Sequence, residues 1–418
     1  MTWNSGRPIV RAAMQAGLVA SLLAASTLAG VVTSAHAGSL QLTSLVTDDQ
    51  SFLTGLGFPA AAHVDPNLIN PWGVSFTPTS PFWVSDNGMG VSTLYTAAGV
   101  QVSPPSPVTI FTPPGQTPGS ASPTGQVFNS DPTAFIVSNG ITSGSANFIF
   151  ATEDGTISGR SGAVDPSQSF KGVDNSGPNG AVYKGLAIAT IGGSPFLYAA
   201  NFRAGTVEMY NSSFGFVKNI TDPSLPPVPP GTPPGQNWAP FNLRILNGQL
   251  YVSFALQAPG GHDDQAGAGN GFVDVFTPDG TFVKRLINTG PGNPLNSPWG
   301  LDIAPAGFEA FANDLLVGNF GDGTIDAFDP NSGAFLGTLQ DSSGNPFVIG
   351  DLWALVNGNN GPGSNPNAVF FTAGLMDEAH GLFGELAFTP EPDSLVLLTL
   401  AMVGVLCIRR RRRDDASA

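Results

Sequence analysis

Between its two end segments this 418-residue chain has no cysteine, because the only one, Cys407, lies near the C-terminus. That absence removes disulfides, zinc–thiolate sites and cysteine nucleophiles from the body of the protein. A body this large buries enough apolar surface without cross-links. Positive charge is scarce too: 15 Lys and Arg stand against 30 Asp and Glu. The end segments take seven of the basic and four of the acidic residues, which leaves 8 against 26, net −18, from Gly38 to Pro390. Such a balance argues against nucleic acid and anionic lipid as partners, and its self-repulsion suits a soluble domain. No segment of the body sustains an amphipathic helical period. The glycine-rich turns at Gly192-Gly193 and Gly358 to Gly363 lead into neither Lys-Ser/Thr nor a long helix, so they form no phosphate-binding loop. No motif for a redox cofactor is present.

What is there begins with addresses. Arg7 and Arg11 precede an apolar stretch from Ala12 to Val32, and Ala35-His36-Ala37 precedes Gly38. This is the pattern of a secretory signal, cleaved after Ala37, over residues 1–37. At the other end Pro390-Glu391-Pro392 is followed by an apolar run from Leu395 to Ile408 and by five arginines, Arg409 to Arg413. Fourteen uncharged residues reach about 21 Å as a helix, short for a hydrocarbon core, with the arginines held on the cytoplasmic side. An ordinary C-terminal anchor is one reading. The order of the three signals resembles the PEP-CTERM sorting tail of bacterial envelope proteins. That resemblance implies transient membrane anchoring, removal of the tail (391–418) by the protease exosortase, and final residence in the cell envelope or outside the cell.

Composition narrows the fold of the body. With 53 glycines, 37 prolines and 29 phenylalanines, long helices are penalised and short aromatic strands between tight turns are favoured. An all-β chain is expected. A three-strand pattern recurs six times, starting near Pro71, Pro132, Gly185, Pro240, Pro298 and Asp351, at intervals of 61, 53, 55, 58 and 53. The clearest copies are NPWGVSFTPTSPFWVSDNGMGVSTLYTAAG from Asn70, GLAIATIGGSPFLYAANFRAGTVEMYNSSFG from Gly185, and SPWGLDIAPAGFEAFANDLLVGNFGDGTIDAFDPNSG from Ser297. Their third strands end in Tyr95, Tyr210 and Phe328, with Phe276 in the fourth repeat, aromatics placed to wedge between sheets. The pattern resembles the NHL-type repeats of six-bladed β-propellers, and residues 38–390 are similar to a PEP-CTERM-associated propeller family of uncharacterised function. The second repeat departs from it, with Gly159-Arg160 where the aromatic strand end belongs. The sixth lacks an outer strand, which Leu40 to Thr47 can supply, closing the ring and removing two sheet edges.

This topology puts strand starts and second-strand ends on one face of the disc. That face is expected to carry Asp86, Asn87, Glu153, Asp154, Asn201, Asn319 and Asp322 as the candidate binding surface, with His262-Asp263-Asp264 and Asp377-Glu378 beside them. Two long insertions, Pro113 to Gly125 and Asp222 to Gln236, fall there as well. The expected function is noncatalytic: a binding or structural component of the envelope or extracellular matrix, with exopolysaccharide or a matrix protein as partner class. The alternative is a metal-dependent hydrolase similar to the gluconolactonase propellers, in which channel oxygens hold Ca²⁺. At the channel-side strand starts this chain has Asn70, Asp131, Lys184, Ala239, Ser297 and Gly350, a poor cation cage. Gly261-His262-Asp263-Asp264 with Asn270, and Asn319 to Asp326, have oxygen-rich spacing but not the full ligand pattern of a calcium loop, and read first as Asx turns. His63 and His380 are linked by no motif to a nucleophile. Glu208, Asp274 and Asp326 share one third-strand position, which argues for structural alternation. Trp72, Trp83, Trp299 and Trp353 can stack on a saccharide or fill the core.

Overall fold

Mostly apolar strands of two to nine residues, punctuated by Gly and Asx turns, build six sheets whose innermost strands line one axis. The computed structural model describes residues 38–389, of which Leu40–Phe388 form one compact unit. The signal segment, the Pro-Glu-Pro tail and their cleavage sites lie outside the described residues. From channel to rim, blade 1 is Pro71–Ser75, Phe82–Asp86, Val91–Tyr95 and Val108–Thr109. Blade 2 is Pro123–Phe128, Phe148–Thr152, Thr156–Arg160 and Phe170–Asp174. Blades 3, 4 and 5 begin with Tyr183–Ile191, Trp238–Leu246 and Pro298–Ile303 and are likewise four-stranded. Blade 6 orders Leu352–Asn357, Val369–Ala373 and Leu382–Thr389 outward, then the N-terminal strand Ser39–Thr47, with His63–Val64 added in parallel. Each inner strand packs on the next, and the sixth packs on the first, so the ring is a six-bladed β-propeller. Among the described residues no helix is long and apolar enough to cross a membrane.

The second repeat starts earlier than its sequence suggests. The inner strand of blade 2 is Pro123–Phe128, and the region after Pro132 is a loop carrying the small hairpin Ile136–Ser138/Ser143–Ser145. Asp131 therefore sits on that excursion, half-exposed and held with Asn129 and Thr133, and not at the channel. The supposed insertion Pro113 to Gly125 is a shorter connection whose last residues already belong to the strand. Gly125 shows why: a Cβ there would stand 2.3 Å from Leu186 N of the next blade, just as one on Gly73 would stand 2.5 Å from Thr124 O. Gly125→Ala should therefore cost about 1–3 kcal/mol by overpacking, read as a lower denaturant midpoint with an unchanged slope; an unchanged midpoint would disprove this close approach.

The blades are stitched by side chains as well as by packing. Gln126 Nε2 donates to Gly73 O (2.6 Å) and Trp83 O (2.8 Å), Thr124 Oγ1 to Tyr183 O (2.9 Å), and Thr372 Oγ1 to Trp72 O (2.6 Å). The third-strand aromatics Tyr95, Tyr210, Phe276 and Phe328 are buried, at most 1% exposed. Tyr210, Phe276 and Phe328 each sit in an apolar cluster shared with the preceding blade. In blade 2 Arg160 takes that place, its guanidinium 5.2 Å from the centroid of Trp83 in blade 1. Arginine there replaces an aromatic contact by a cation–π contact.

One irregularity repeats in all six blades. The ladder between first and second strands slips at Pro71/Val74, Phe150/Thr152, Tyr183/Leu186, Pro240/Asn242, Pro298/Gly300 and Leu352/Leu355. A bulge bends its strand and re-aims a side chain. The residues caught in these bulges include Trp72, Thr124, Lys184, Phe241, Trp299 and Trp353. Trp72 stacks on Trp353 with centroids 3.5 Å apart, Trp299 meets Trp353 edge-on at 5.7 Å, and Phe320 stacks on Trp353 at 4.2 Å. These rings fill the axis, so the three tryptophans, 1–3% exposed, are core and not stacking platforms for a ligand. Beneath them lies a cavity of about 20 Å³ lined by Gly73, Gly125, Asn242 and Trp299.

Candidate functional site at the channel mouth

Above the aromatic floor, polar side chains from successive blades form one hydrogen-bonded chain. Lys184 of blade 3, only 2% exposed, points along the axis with its ammonium 4.9 Å from the Trp72 centroid and 5.9 Å from that of Phe241. Its Nζ reaches Glu153 Oε1 of the blade 2 second-strand loop at 2.5 Å. Glu153 Oε2 accepts from Asn87 Nδ2 of blade 1 at 3.0 Å, and Asn87 Oδ1 accepts from Asn70 Nδ2 at 3.3 Å. Asn70 Nδ2 also donates to Glu378 Oε2 of blade 6. Trp353 Nε1 donates to Asn70 Oδ1 at 3.0 Å, tying the chain to the floor. Four blades thus contribute to one continuous polar arc.

The backbone beneath this arc is held in an uncommon conformation. Leu375, Met376, Asp377 and Glu378 all have positive φ, 35°, 58°, 53° and 65°. Left-handed backbone costs a non-glycine residue roughly 1–2 kcal/mol, and such strain gathers where side-chain placement matters more than stability. Gly374 N donates to Asp351 O at 2.8 Å and His380 N to Gly374 O at 3.1 Å, which fastens both ends of the turn. The turn delivers Glu378 to the mouth and leaves Met376 62% exposed on the rim.

Burial, reinforced by the charge of Glu153 and opposed by Lys184 and Asn70, pushes the Glu378 carboxyl up to about 7. Its proton stabilises the fold fully below the ordinary carboxyl value of 4.5, and that contribution is lost as pH rises through about 7. Glu378→Gln, which imitates the protonated acid, should therefore shrink the fall in melting temperature between pH 5 and pH 8. An unchanged pH slope would refute the assignment. Asp274, also pushed up to about 7, chiefly by burial, keeps part of that slope in the variant.

Blade 4 adds the loop Gly261-His262-Asp263-Asp264. Ala258 N donates to Asp263 O (2.8 Å), Gln265 N to Leu256 O (2.7 Å), and Gln257 Nε2 to Phe202 O of blade 3 (2.6 Å), which together fix the loop. His262 Nδ1 lies 2.7 Å from Asp263 Oδ1. That hydrogen bond raises the imidazole above its usual range and lowers the Asp263 carboxyl. One ligand atom each from Glu153, His262 and Asp263 lie within 4.8 Å of one another, close enough to share a cation.

Of the seven residues that the topology assigned to this face, Asn87 and Glu153 join the arc. Asp154 accepts from Ser122 N at 2.8 Å and caps its own connection. Asn201 donates to Glu208 Oε1 (2.7 Å) and Asn319 to Asp326 Oδ2 (2.8 Å), both inside their blades. Asp322 is held by Thr324 and Asn296 in an Asx turn. Asp86 is fully buried with both carboxylate oxygens unpartnered, and burial pushes its carboxyl well above the usual range. It stands where blades 3 and 5 place Asn201 and Asn319, with Thr93 at the third-strand position of Glu208 and Asp326: blade 1 carries the acid of this pair on the other strand. Asp274 is bound by Arg285 at 3.0 Å, and Arg285 also pairs with Asp222, which pins the Pro-rich Asp222 to Gln236 segment. His63 is exposed on the rim, whereas His380 pairs with Asp48 at 2.7 Å and stacks on Phe52 at 3.7 Å, so the two histidines form no unit. The remaining members, Asn70, Lys184 and Glu378, come from a strand start, a bulge and a left-handed turn.

Fold and site together define a six-bladed β-propeller with a sealed axis and a polar mouth on one face. The chain belongs to the family of the uncharacterised proteins R648 and L690 of Acanthamoeba polyphaga mimivirus. It is 31% identical to R648 over 335 residues, covering 78% of this chain and 76% of that one, and 31% identical to L690 over 337 residues, covering 78% and 82%. No family model matches it. Among solved structures it is similar to virginiamycin B lyase from Staphylococcus aureus, at 10% identity and TM-score 0.46 over 84% of this chain and 99% of that one. A protein of unknown function from Bacteroides thetaiotaomicron matches at 12% identity and TM-score 0.49 over 84% and 76%.

Proposed function

We propose that this protein is an exported propeller that acts by binding, with the channel mouth around Asn70, Asn87, Glu153, Lys184 and Glu378 as its ligand site. In this reading the signal segment directs export and exosortase recognises Pro390-Glu391-Pro392 and removes the membrane anchor. The body then serves as a noncatalytic component of the envelope or extracellular matrix. The observation that carries the binding role is the polar arc itself: side chains from four blades converge where the channel opens, above a floor that closes it to through-traffic. Two amide side chains and two carboxylates suit the hydroxyls of a neutral polysaccharide, and the acidic body disfavours an anionic one. Glycan arrays and pull-downs with residues 38–390 test this, with Asn87→Ala expected to abolish capture. Retention of full binding by Asn87→Ala would move the site elsewhere.

The hydrolase alternative is favoured by one observation, the proximity of Glu153, His262 and Asp263, beside a Glu378 carboxyl that titrates near neutrality. In that role Glu378 would exchange a proton with the leaving group. Turnover of lactones or phosphoesters by the parent, absent in Glu378→Gln, would select this alternative over simple binding.

A further inference from the structure

The arc leaves one group of side chains at the mouth with no evident task. His262 and Asp263 project from a loop that is itself pinned to blade 3 through Gln257, and among the described residues their side chains hydrogen-bond only to each other, close to Glu153. Glu153 spends one carboxylate oxygen on Lys184 and one on Asn87, but a carboxylate has about four lone-pair directions, so neither contact exhausts it. Next to them Asp264 carries an oxygen, Oδ2, that is sealed from solvent and has no hydrogen-bond partner. The groups acting on that carboxyl are the Ser297 hydroxyl, the Lys184 ammonium and the Asp263 carboxylate. A buried, unpartnered carboxylate oxygen is costly unless a positive group faces it. Around the mouth stand Glu153, Asp263, Asp264 and Glu378, against Lys184 as the buried cation among the described residues there, with Arg203, which donates to Gly180 O at 2.9 Å, acting on Asp263 from farther off.

We propose that the mouth binds one divalent transition-metal ion, held by Glu153, His262 and Asp263, with Asp264 balancing its charge from behind. The inference rests on the mouth being the ligand site, and it names what that site uses to grip hydroxyls. One imidazole nitrogen with two carboxylate oxygens selects Mn²⁺ or Zn²⁺ over Ca²⁺, which takes oxygen ligands only. Ligand atoms at about 2.0–2.2 Å from a common ion lie at most about 4.4 Å apart, so the observed grouping within 4.8 Å closes onto an ion by rotamer adjustment of the half-buried His262 and the exposed Asp263. The remaining coordination positions face solvent, where two adjacent hydroxyls of a saccharide can enter. Lys184 stays on the far oxygen of Glu153 and fixes that ligand's orientation.

The test is titration of the full chain with Mn²⁺ followed by electron paramagnetic resonance, repeated with Zn²⁺ by calorimetry. One ion per chain is expected. His262→Ala and Asp263→Asn should each weaken uptake at least about tenfold, while Asp131→Asn, on the hairpin excursion of blade 2, leaves it unchanged. Both substituted ligands lie in a surface loop, and an unaltered melting curve shows that the variants fold. No saturable uptake, or uptake that His262→Ala leaves intact, overturns the proposal. Polysaccharide capture in EDTA separates the two readings: capture that survives chelation refutes the metal's role in gripping and spares the binding function. Stoichiometric, His262-dependent metal uptake without capture of any glycan or protein refutes the binding function and spares the metal site.

Discussion

Removing Leu40 to Thr47 should unfold the whole ring and not merely loosen one blade. That segment is the fourth strand of blade 6, hydrogen-bonded to Leu382–Thr389 on one side and to His63–Val64 on the other. Leu40, Leu45 and Val46 are buried, at most 5% exposed. At about 1.5–3 kcal/mol per buried side chain, these three alone contribute about 5–9 kcal/mol, comparable with the roughly 5–15 kcal/mol that holds a typical domain together. The end of the strand and the residue after it form a clasp: Thr47 Oγ1 donates to Gly381 O at 3.0 Å, and Asp48 accepts from Gly381 N at 2.8 Å and pairs with His380. The truncated chain should show no cooperative melt by near-UV circular dichroism. Shortening the exposed stretch from Pro229 to Pro234 should leave the melting temperature within a few degrees of the parent. A truncated protein that melts like the parent would show that the ring closes without this strand.

The second large effect concerns the buried ion pair. Glu153→Ala leaves the Lys184 ammonium unpaired above aromatic rings, and losing one partner of a buried pair costs about 3–5 kcal/mol. Adding Lys184→Met should restore most of that loss, because a flexible apolar side chain of similar length packs on Trp72, Phe202 and Phe241, all within 6 Å of the lysine nitrogen. Denaturant midpoints of the two single variants and the double variant close the cycle. If the double variant is as unstable as the sum of the singles, the pair is not coupled and the charge is neutralised elsewhere.

The sequence was informative where physics is periodic. Repeating Pro-Trp-Gly starts at Pro71 and Pro298, strand ends at Tyr95, Tyr210 and Phe328, and the missing sixth outer strand all pointed to a six-bladed ring, and that ring is found. Blade 2 misled because its start, Pro123-Thr124-Gly125, lacks the tryptophan and hides in a Pro- and Gly-rich stretch. The sequence placed Asn70 and Lys184 at channel-side strand starts and Glu378 beside the candidate face, but not their joining into one arc, which depends on local devices that a period cannot reveal. A bulge turns Lys184 onto the axis, where alternation alone cannot decide between channel and blade. A left-handed turn delivers Glu378. An Asn–acid pairing inside blades 3 and 5 consumes Asn201 and Asn319, which looked free as loop residues, while its reversal in blade 1 buries Asp86.

The bulges have a consequence for how such a disc changes its chemistry. Each lets one residue per blade leave the ladder, so its identity is uncoupled from backbone pairing. Trp72, Thr124, Lys184, Phe241, Trp299 and Trp353 can be read as six interchangeable inserts in a fixed mount. Exchanging one rewrites the polarity of the axis without asking any strand to re-register, which makes this ring a scaffold that can acquire a new specificity one substitution at a time.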